Sequence, residues 1–159
     1  MNAWAGKFSG KEAIMFKHLL LAVDGSDLSE SAFRKALALA RDMGARTTAV
    51  RVCPNYHVLT YQVEMLEDTR ETFVREAAAG ASQYLRERAE EASAAGVPCD
   101  TAYAVNDHPY EAIIKTAEDK GCDLIVMASH GRRGIQGMLI GSETLKVLTH
   151  SKIPVLVYR

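Results

Sequence analysis

The chain has 159 residues and a mass of 17.4 kDa, which fits a single domain. Hydrophobic residues make up 48% and charged residues 25%, and these ordinary globular values exclude disorder as its main character. Nineteen Lys and Arg residues oppose 20 Asp and Glu residues, for a net charge of −1. Proteins that bind nucleic-acid backbones or anionic membranes are usually basic, so we expect neither partner.

The cysteines and the amino-terminal segment indicate a cytoplasmic protein. Cys53, Cys99 and Cys122 are widely spaced and odd in number, which predicts neither a disulfide framework nor a zinc site. Residues 1–15 lack the charged-then-apolar layout of a secretory signal. We expect them to form a loose leader, followed by one domain over 16–159.

The first predicted elements are a buried strand and an amphipathic helix. Residues 18–23 form a short apolar run that stops at turn residues, which is typical of a buried strand. Apolar residues recur at helical spacing over 28–43, and Gly44 follows as a stop signal. Asp27 and Glu30, three positions apart, predict a variant of the capping box at the start of this helix.

The middle of the chain predicts two more strands and a long helix. The β-rich run 47–52 stops before Pro54 and indicates the second strand. Residues 55–66 have no clean period, which is typical of a functional loop or lid. An Ala-, Glu- and Arg-rich helix is expected over 67–95, and alternation over 97–105 indicates a half-buried strand near an edge.

The last third predicts two helices and two strands. Pro109 opens a helix, 124–128 is a strongly apolar strand, a second helix covers 142–150, and 153–158 forms the last strand. Strands and helices therefore alternate along the chain. This order predicts an α/β fold, an open five-stranded parallel sheet with helices on both faces.

The turn after the fourth strand has the composition of a phosphate-binding loop. In open parallel sheets, ligands bind outside the carboxyl ends of the strands. Gly141 and Ser142 fall at a predicted helix start, where unpaired amides and the helix dipole favour an anion. Arg132 and Arg133 could neutralise phosphate charge. The same stretch contains further glycines, which are Gly131, Gly134 and Gly137.

Other interpretations of these residues stay open. The glycines could serve loop flexibility alone, Gly141 and Ser142 could be an ordinary helix start, and Asp24 and Ser26 could only satisfy turn amides. No GxxxxGK[ST] is present, and Gly25 is the one glycine of the first βα turn, so neither a P-loop nor a dinucleotide fingerprint occurs. Any nucleotide would therefore be held by the fourth-strand loop.

Four segments carry a resemblance to a known family. They read LLAVDGS over 20–26, CDLIVMASHG over 122–131, GS over 141–142 and IPVLV over 153–157. With them the chain resembles the universal stress protein family over nearly its whole length. The nucleotide-binding branch of that family is marked by G-x2-G-x9-G-[ST]. This sequence matches the spacing but has Ala128 in place of the first glycine, and we expect weakened rather than abolished binding.

The resemblance implies a fold, a ligand and a set of site residues. The fold would be a Rossmann-like sheet of the adenine nucleotide alpha hydrolase type, and the ligand ATP or another adenine nucleotide with Mg²⁺. Asp24 would help to hold the cation, and Val52 would meet adenine through its backbone. The family is commonly dimeric, which implies a homodimer through the C-terminal strand. The implied nucleotide contacts are Asp24, Ser26, Val52, Met127, Ala128, Gly131, Arg132, Gly141, Ser142 and Glu143.

Three functions follow from this reading. The leading one is an ATP-binding protein with a regulatory role in the stress response. A slow ATP hydrolase is the second, for which Asp24, Arg132 and Arg133 would offer a partial set of catalytic groups. A nucleotide-free dimeric interaction module is the third, suggested by Ala128. His130 has no Ser, Cys or carboxylate placed as its partner by the sequence, so catalysis by this residue is not expected.

Overall fold

We describe the protein from a computed structural model that covers residues 15–55, 67–131 and 140–159. The leader predicted over 1–15 lies outside the described residues except for Met15, and the loop predicted over 55–66 lies outside them except for Asn55.

Strands and helices alternate along the chain as the sequence predicts. The strands are β1 (His18–Ala22), β2 (Arg46–Cys53), β3 (Cys99–Val105), β4 (Leu124–Ala128) and β5 (Val155–Tyr158). The helices are α1 (Asp27–Met43), α2 (Glu67–Ala94), α3 (Pro109–Lys120) and α4 (Ser142–His150).

The five strands form one open sheet in the order β3-β2-β1-β4-β5, and every neighbouring pair is parallel. β1 therefore lies at the centre of the sheet. From β1 the chain runs outward through β2 to β3, and it then crosses to the other side to form β4 and β5. The predicted α/β architecture, a five-stranded parallel sheet with helices on both faces, is confirmed.

A separate apolar core covers each face of the sheet. Leu19 and Leu21 of β1 pack with Phe33 of α1 and Leu85 of α2 on one face. Leu20 points to the opposite face because side chains alternate along a strand. There it packs in a second core, which is completed by Ile125, Ile113 and Val147 from β4, α3 and α4. The central strands are thus buried on both faces, which explains their continuous apolar runs.

The predicted capping box at the start of α1 is wrong. Ser26 is the cap residue, and its side-chain oxygen accepts a hydrogen bond from the amide of Ser29. The carboxylate of Glu30 does not return to the helix start. It forms an ion pair with Arg88 of α2 and accepts a hydrogen bond from the Tyr84 hydroxyl. A charged partner brought near by the fold has displaced the local hydrogen bond that the sequence spacing suggests.

The two edge strands differ from the centre. β3 lies at an edge of the sheet, as predicted. Half-buried and exposed side chains alternate only over its second half, because Asp100 and Thr101 are exposed in succession. β5 forms the other edge, and its Leu156 is 41% exposed. Within the three described ranges, no helix combines the length and the apolar character that a bilayer crossing needs.

Candidate functional site

A cleft of about 690 Å³ lies at the carboxyl ends of the strands. It sits beside β1 and β4, where the chain leaves the sheet in opposite directions, the position at which open α/β sheets bind ligands. Its walls come from the ends of β1, β2 and β4, the turn before α3 and the first turn of α4. The lining residues used below are Asp24, Arg51, Val52, Asn106, Asp107, Pro109, Ile113, Met127, Ala128, His130, Gly131, Gly141, Ser142, Glu143 and Thr144.

Asp24 is held in one orientation at the floor of the cleft. Its Oδ1 accepts hydrogen bonds from the amide of Ser26 at 2.9 Å and from the Ser26 hydroxyl at 2.7 Å. The backbone amide of Asp24 donates to the hydroxyl of Ser29. The two bonds from Ser26 fix the carboxylate, and the bond to Ser29 holds the backbone of Asp24 against the first turn of α1.

Gly131 lies directly against the other oxygen of this carboxylate. A Cβ placed on Gly131 would come within 2.3 Å of Asp24 Oδ2, well inside van der Waals contact. The turn after β4 can therefore approach the turn after β1 this closely only with a glycine at position 131. Any larger residue would displace the Asp24 side chain.

Gly141 brings the start of α4 against the backbone of Ser129 and His130, which directly follow β4. Its amide donates to the carbonyl of Ser129 at 2.7 Å. A Cβ at this position would lie 3.3 Å from both Cα and Cβ of His130. The backbone of Gly141 is extended, with φ −71° and ψ 157°, so glycine contributes space at this position and not a left-handed conformation.

The helix starts around the cleft differ in how their first amides are satisfied. The cap of α1 is the Ser26 side chain, and the first free amide of α3, from Tyr110, donates to Glu143. Gly141, the cap residue of α4, has no side chain to offer. The amides of Ser142, Glu143 and Thr144 have no acceptor within their own helix, as at any helix start, and these residues line the cleft.

Ala128 occupies the position of the first glycine in the nucleotide-binding pattern. It is the last residue of β4 and pairs with Tyr158, so its backbone is in the β region that alanine adopts without strain. Its carbonyl accepts a hydrogen bond from the Thr144 hydroxyl at 3.0 Å. The strand and this hydrogen bond are thus formed with alanine at position 128, and Ala128 lines the cleft.

The described lining of the cleft is acidic. Asp24, Asp107 and Glu143 contribute three carboxylates, against the one guanidinium of Arg51, and the balance of 1 − 3 is −2. Arg51 stacks on the ring of Tyr84, with 4.5 Å between its guanidinium carbon and the ring centroid. The Glu143 carboxylate also binds Lys146, and this hydrogen bond raises the pKa of the Lys146 ammonium group.

The structure brings most of the predicted site residues to this cleft. Ser26 is an exception, because it does not line the cleft and contacts Asp24 instead. Arg132 lies outside the described residues, as do Arg133, Gly134 and Gly137. The predicted residues that line the cleft are Asp24, Val52, Met127, Ala128, Gly131, Gly141, Ser142 and Glu143.

One wall of the cleft was missed by the sequence analysis. Asn106 and Asp107, which lie between β3 and α3, line the cleft together with Pro109, the first residue of α3. Asp107 accepts two hydrogen bonds from Asn55, each at 3.0 Å, which tie this wall to the end of β2. The signal was available, because a polar turn after any strand of a parallel sheet lies at the edge where ligands bind.

No group of three or more His, Cys, Asp or Glu side chains is placed to hold a metal ion in the part of the chain that the structure describes. Asp24 could therefore offer a metal ion one carboxylate, without a cluster of further ligands among the described residues. Such a residue suits a cation that keeps several waters and takes further ligands from a phosphate, as Mg²⁺ does.

Comparison with known proteins identifies relatives of this chain. The profile of the universal stress protein family matches residues 15–159. A universal stress protein of Bacillus subtilis, YxiE, is 34% identical over 149 residues, which cover 91% of this chain and 100% of the relative. The solved structure of UspA from Lactobacillus plantarum is 26% identical with a TM-score of 0.77, and the match covers 90% of this chain and 97% of that one.

Two more distant structures share the fold and hold nucleotides. One is a universal stress protein from Archaeoglobus fulgidus in complex with dAMP, 20% identical with a TM-score of 0.59, covering 92% of this chain and 99% of that one. The other is a universal stress protein in complex with cAMP, 23% identical with a TM-score of 0.61, covering 91% and 97%. The family profile spans both halves of the sheet and every described segment of the cleft, and the chain belongs to the universal stress protein family.

Proposed function

We propose that this protein binds an adenine nucleotide, ATP, together with Mg²⁺, and acts through nucleotide occupancy as a regulator in the stress response. The observation that carries the proposal is the start of α4. There, three residues whose amides have no intrahelical acceptor line a cleft that also contains Asp24. The dAMP and cAMP complexes of proteins with this fold support an adenine nucleotide as the occupant.

The phosphates would bind at the first turn of α4. The helix dipole favours negative charge at this end, and glycine at positions 131 and 141 lets the turn after β4 and the start of α4 lie close to Asp24 and His130, beside the same cleft. Ser142 adds a hydroxyl donor beside the free amides. Arg132, which the sequence analysis assigns to the phosphates, follows Gly131 directly in the chain.

The nucleoside would lie toward the ends of β2 and β4. Val52 would meet adenine through its backbone, and Met127 and Ala128 would border the ribose. Val52 and Met127 belong to the core that covers the α3 side of the sheet, so the base would rest on apolar side chains. Burying a planar base against such a surface is favourable because it removes apolar area from water.

The acidic lining makes binding depend on a divalent cation. ATP carries several negative charges, and three carboxylates on the described lining would repel them. A cation held between Asp24 and the phosphates would reverse this repulsion, and the hydrogen bonds from Ser26 keep one carboxylate oxygen engaged while the other faces Gly131. Mg²⁺ would supply the charge neutralisation that the described side chains lack.

The protein would act in the cytoplasm as a homodimer joined through β5. Within the described ranges this strand is an edge of the sheet, and Leu156 is exposed on it, which a monomer would have to protect. A second copy pairing along β5 would satisfy the free backbone groups of the edge and cover this side chain. One dimer would then offer a protein partner two features to recognise, the nucleotide-occupied cleft and the dimer surface.

Calorimetric titration with ATP, in the presence and absence of Mg²⁺, tests this function. We expect saturable binding that requires the cation. At an ATP concentration about 100 times the dissociation constant, the free energy of unfolding should rise by about 2.7 kcal/mol. Asp24→Asn keeps an oxygen for Ser26 but removes the charge, so in this variant ATP affinity should no longer depend on Mg²⁺. The control is Gly80→Ala in α2, where an added Cβ contacts nothing within 4 Å.

The alternatives give different outcomes in the same experiment. A hydrolase would release phosphate from bound ATP, and turnover that Asp24→Asn abolishes would assign the reaction to this cleft. A nucleotide-free interaction module would show no heat, no thermal shift and no material absorbing at 260 nm after denaturation of the purified protein. That last result would overturn the proposed function.

A further inference from the structure

We propose that Glu143 is a positioning residue, which sets the spacing between the two helix starts that form the mouth of the cleft. The inference rests on the proposed function, because it concerns how the same cleft grips a nucleotide. Its basis is one hydrogen bond between α3 and α4, with the ring contacts around it, which the sequence pattern does not predict.

The start of α3 lacks a cap of its own. His108 is its cap residue, with φ −113° and ψ 85°, and its side chain makes no capping hydrogen bond. The next residue, Pro109, has no amide hydrogen, and the amide of Glu111 donates to the His108 carbonyl at 3.0 Å. The amide of Tyr110 is therefore the one in this first turn that needs an acceptor from elsewhere.

Glu143 supplies that acceptor from the first turn of α4. Its Oε2 accepts the Tyr110 amide hydrogen at 3.0 Å. Its other oxygen, Oε1, accepts a hydrogen bond from Lys146 Nζ at 2.7 Å, one turn further along α4. Each carboxylate oxygen of Glu143 thus accepts one hydrogen bond, and the two bonds together fix the position of the side chain.

The ring of Tyr110 strengthens the same junction. Lys146 Nζ lies 5.3 Å from the centroid of this ring, and the ring of His150 lies 5.1 Å from it at an angle of 48°. Tyr110 therefore contacts α4 through its amide and through its ring. The start of α3 cannot move relative to the start of α4 without breaking these contacts.

Both helix starts form walls of the cleft. Pro109 and Ile113 of α3 line it on one side, and Ser142 and Thr144 of α4 line it on another. A nucleotide whose base rests on Val52 and Met127 would also meet α3, because Ile113 belongs to the same core and lines the same cleft. Such a ligand touches both walls and needs them at a fixed separation, whereas an anion held by the α4 amides alone does not. Glu143 therefore acts on the affinity for a whole nucleotide through the wall spacing, without its carboxylate contacting the ligand.

Two variants separate this role from simple charge. Glu143→Gln and Glu143→Ala both remove the negative charge beside the α4 amides, so each should reduce repulsion of phosphate equally. Only Glu143→Gln keeps a side-chain oxygen that can accept the Tyr110 amide hydrogen. A difference between the two variants therefore reports the hydrogen bond between the helices and not the electrostatics of the cleft.

The test is calorimetric titration of the full chain with two probes, MgATP and magnesium tripolyphosphate, at a temperature well below unfolding. For MgATP we expect Glu143→Ala to bind about fivefold more weakly than Glu143→Gln, the effect of one lost hydrogen bond of ordinary strength. For tripolyphosphate the two variants should bind alike. Hydrogen exchange of the Tyr110 amide should be faster in Glu143→Ala than in Glu143→Gln.

Three results would overturn the inference. Equal MgATP affinity of the two variants would make Glu143 a structural residue only, even if Glu143→Ala unfolds at a lower temperature. An equal loss for both probes would confine its effect to α4 and remove the coupling to α3. The wild-type protein is titrated first. If it binds no adenine nucleotide, the proposed function is refuted and this inference with it, before any variant is compared.

Discussion

The two ends of the sheet differ in where their backbone amides find hydrogen-bond acceptors. At the amino end, the Asp123 carboxylate accepts the amide hydrogens of Lys17 at 2.8 Å and His18 at 3.0 Å. At the carboxyl end, the first amides of α4 have no acceptor in their helix and line a cleft of about 690 Å³. One end is closed by the chain itself, and the other is built to receive an acceptor from outside.

The side chains around the amino end complete this closure. His18 is buried and its Nε2 lies 2.8 Å from the Thr48 hydroxyl, and the Thr47 hydroxyl donates to the Pro98 carbonyl. Burial raises the pKa of the Cys122 thiol to about 11, so this cysteine stays protonated and unreactive near neutral pH. Changes at this end should alter stability, and changes at the carboxyl end should alter binding.

The largest effect is expected from Gly141→Val at the open end. A single added carbon at Gly141 already comes within 3.3 Å of His130, so a branched side chain must push the start of α4 away. We expect MgATP affinity to fall between about tenfold and a hundredfold, the equivalent of one charge-assisted hydrogen bond. Titration calorimetry measures it with Gly80→Ala as the control, and unchanged affinity would remove the α4 start from the site.

Asp123→Ala should show the opposite pattern at the closed end. The change leaves the amides of Lys17 and His18 without their shared acceptor. We expect the free energy of unfolding in urea to fall by about 1–2 kcal/mol, while the folded protein keeps its MgATP affinity. Asp123→Asn retains one acceptor oxygen and should lose less. A variant that unfolds normally but binds ATP poorly would break the division between the two ends.

Ser26→Ala tests a residue that belongs to the open end but does not line the cleft. Loss of the cap should lower the stability of the protein by about 1 kcal/mol, a typical value for a serine cap. Because the same hydroxyl donates to Asp24, the Mg²⁺ dependence of ATP binding should also weaken. Ser26→Thr retains the hydroxyl and is the matched control. Titrations at several Mg²⁺ concentrations would show whether Ser26 acts only as a cap.

The smallest effect concerns pH and His18. Burial and the nearby charge of Arg46 lower the pKa of His18 below its ordinary value of 6.5. The unfolded chain therefore takes up a proton near that pH while native His18 stays neutral, so the protein should lose stability as the pH falls below 6.5. Urea unfolding at about pH 7.5 and about pH 5.5 measures the loss, and His18→Gln should reduce it. An equal loss in the variant would assign it to other groups.

Much of the cleft could be read from the sequence because its parts are local. A strand followed by Asp24, and a strand followed later by Gly141 and Ser142, are patterns within short segments. In a parallel sheet their meeting at one edge follows from topology. The partners of Glu30 and Glu143 could not be read in this way, because Arg88 and Tyr110 lie far from them along the chain.

The sequence by itself determined the order of strands and helices, the parallel sheet and the edge at which a ligand would bind. These follow from hydrophobic periodicity and turn residues, which act over a few positions. Only the tertiary structure decided which carboxylates face the cleft and which close the chain on itself. That choice depends on contacts between segments distant in sequence, where a buried amide takes whichever acceptor the packing brings within about 3 Å.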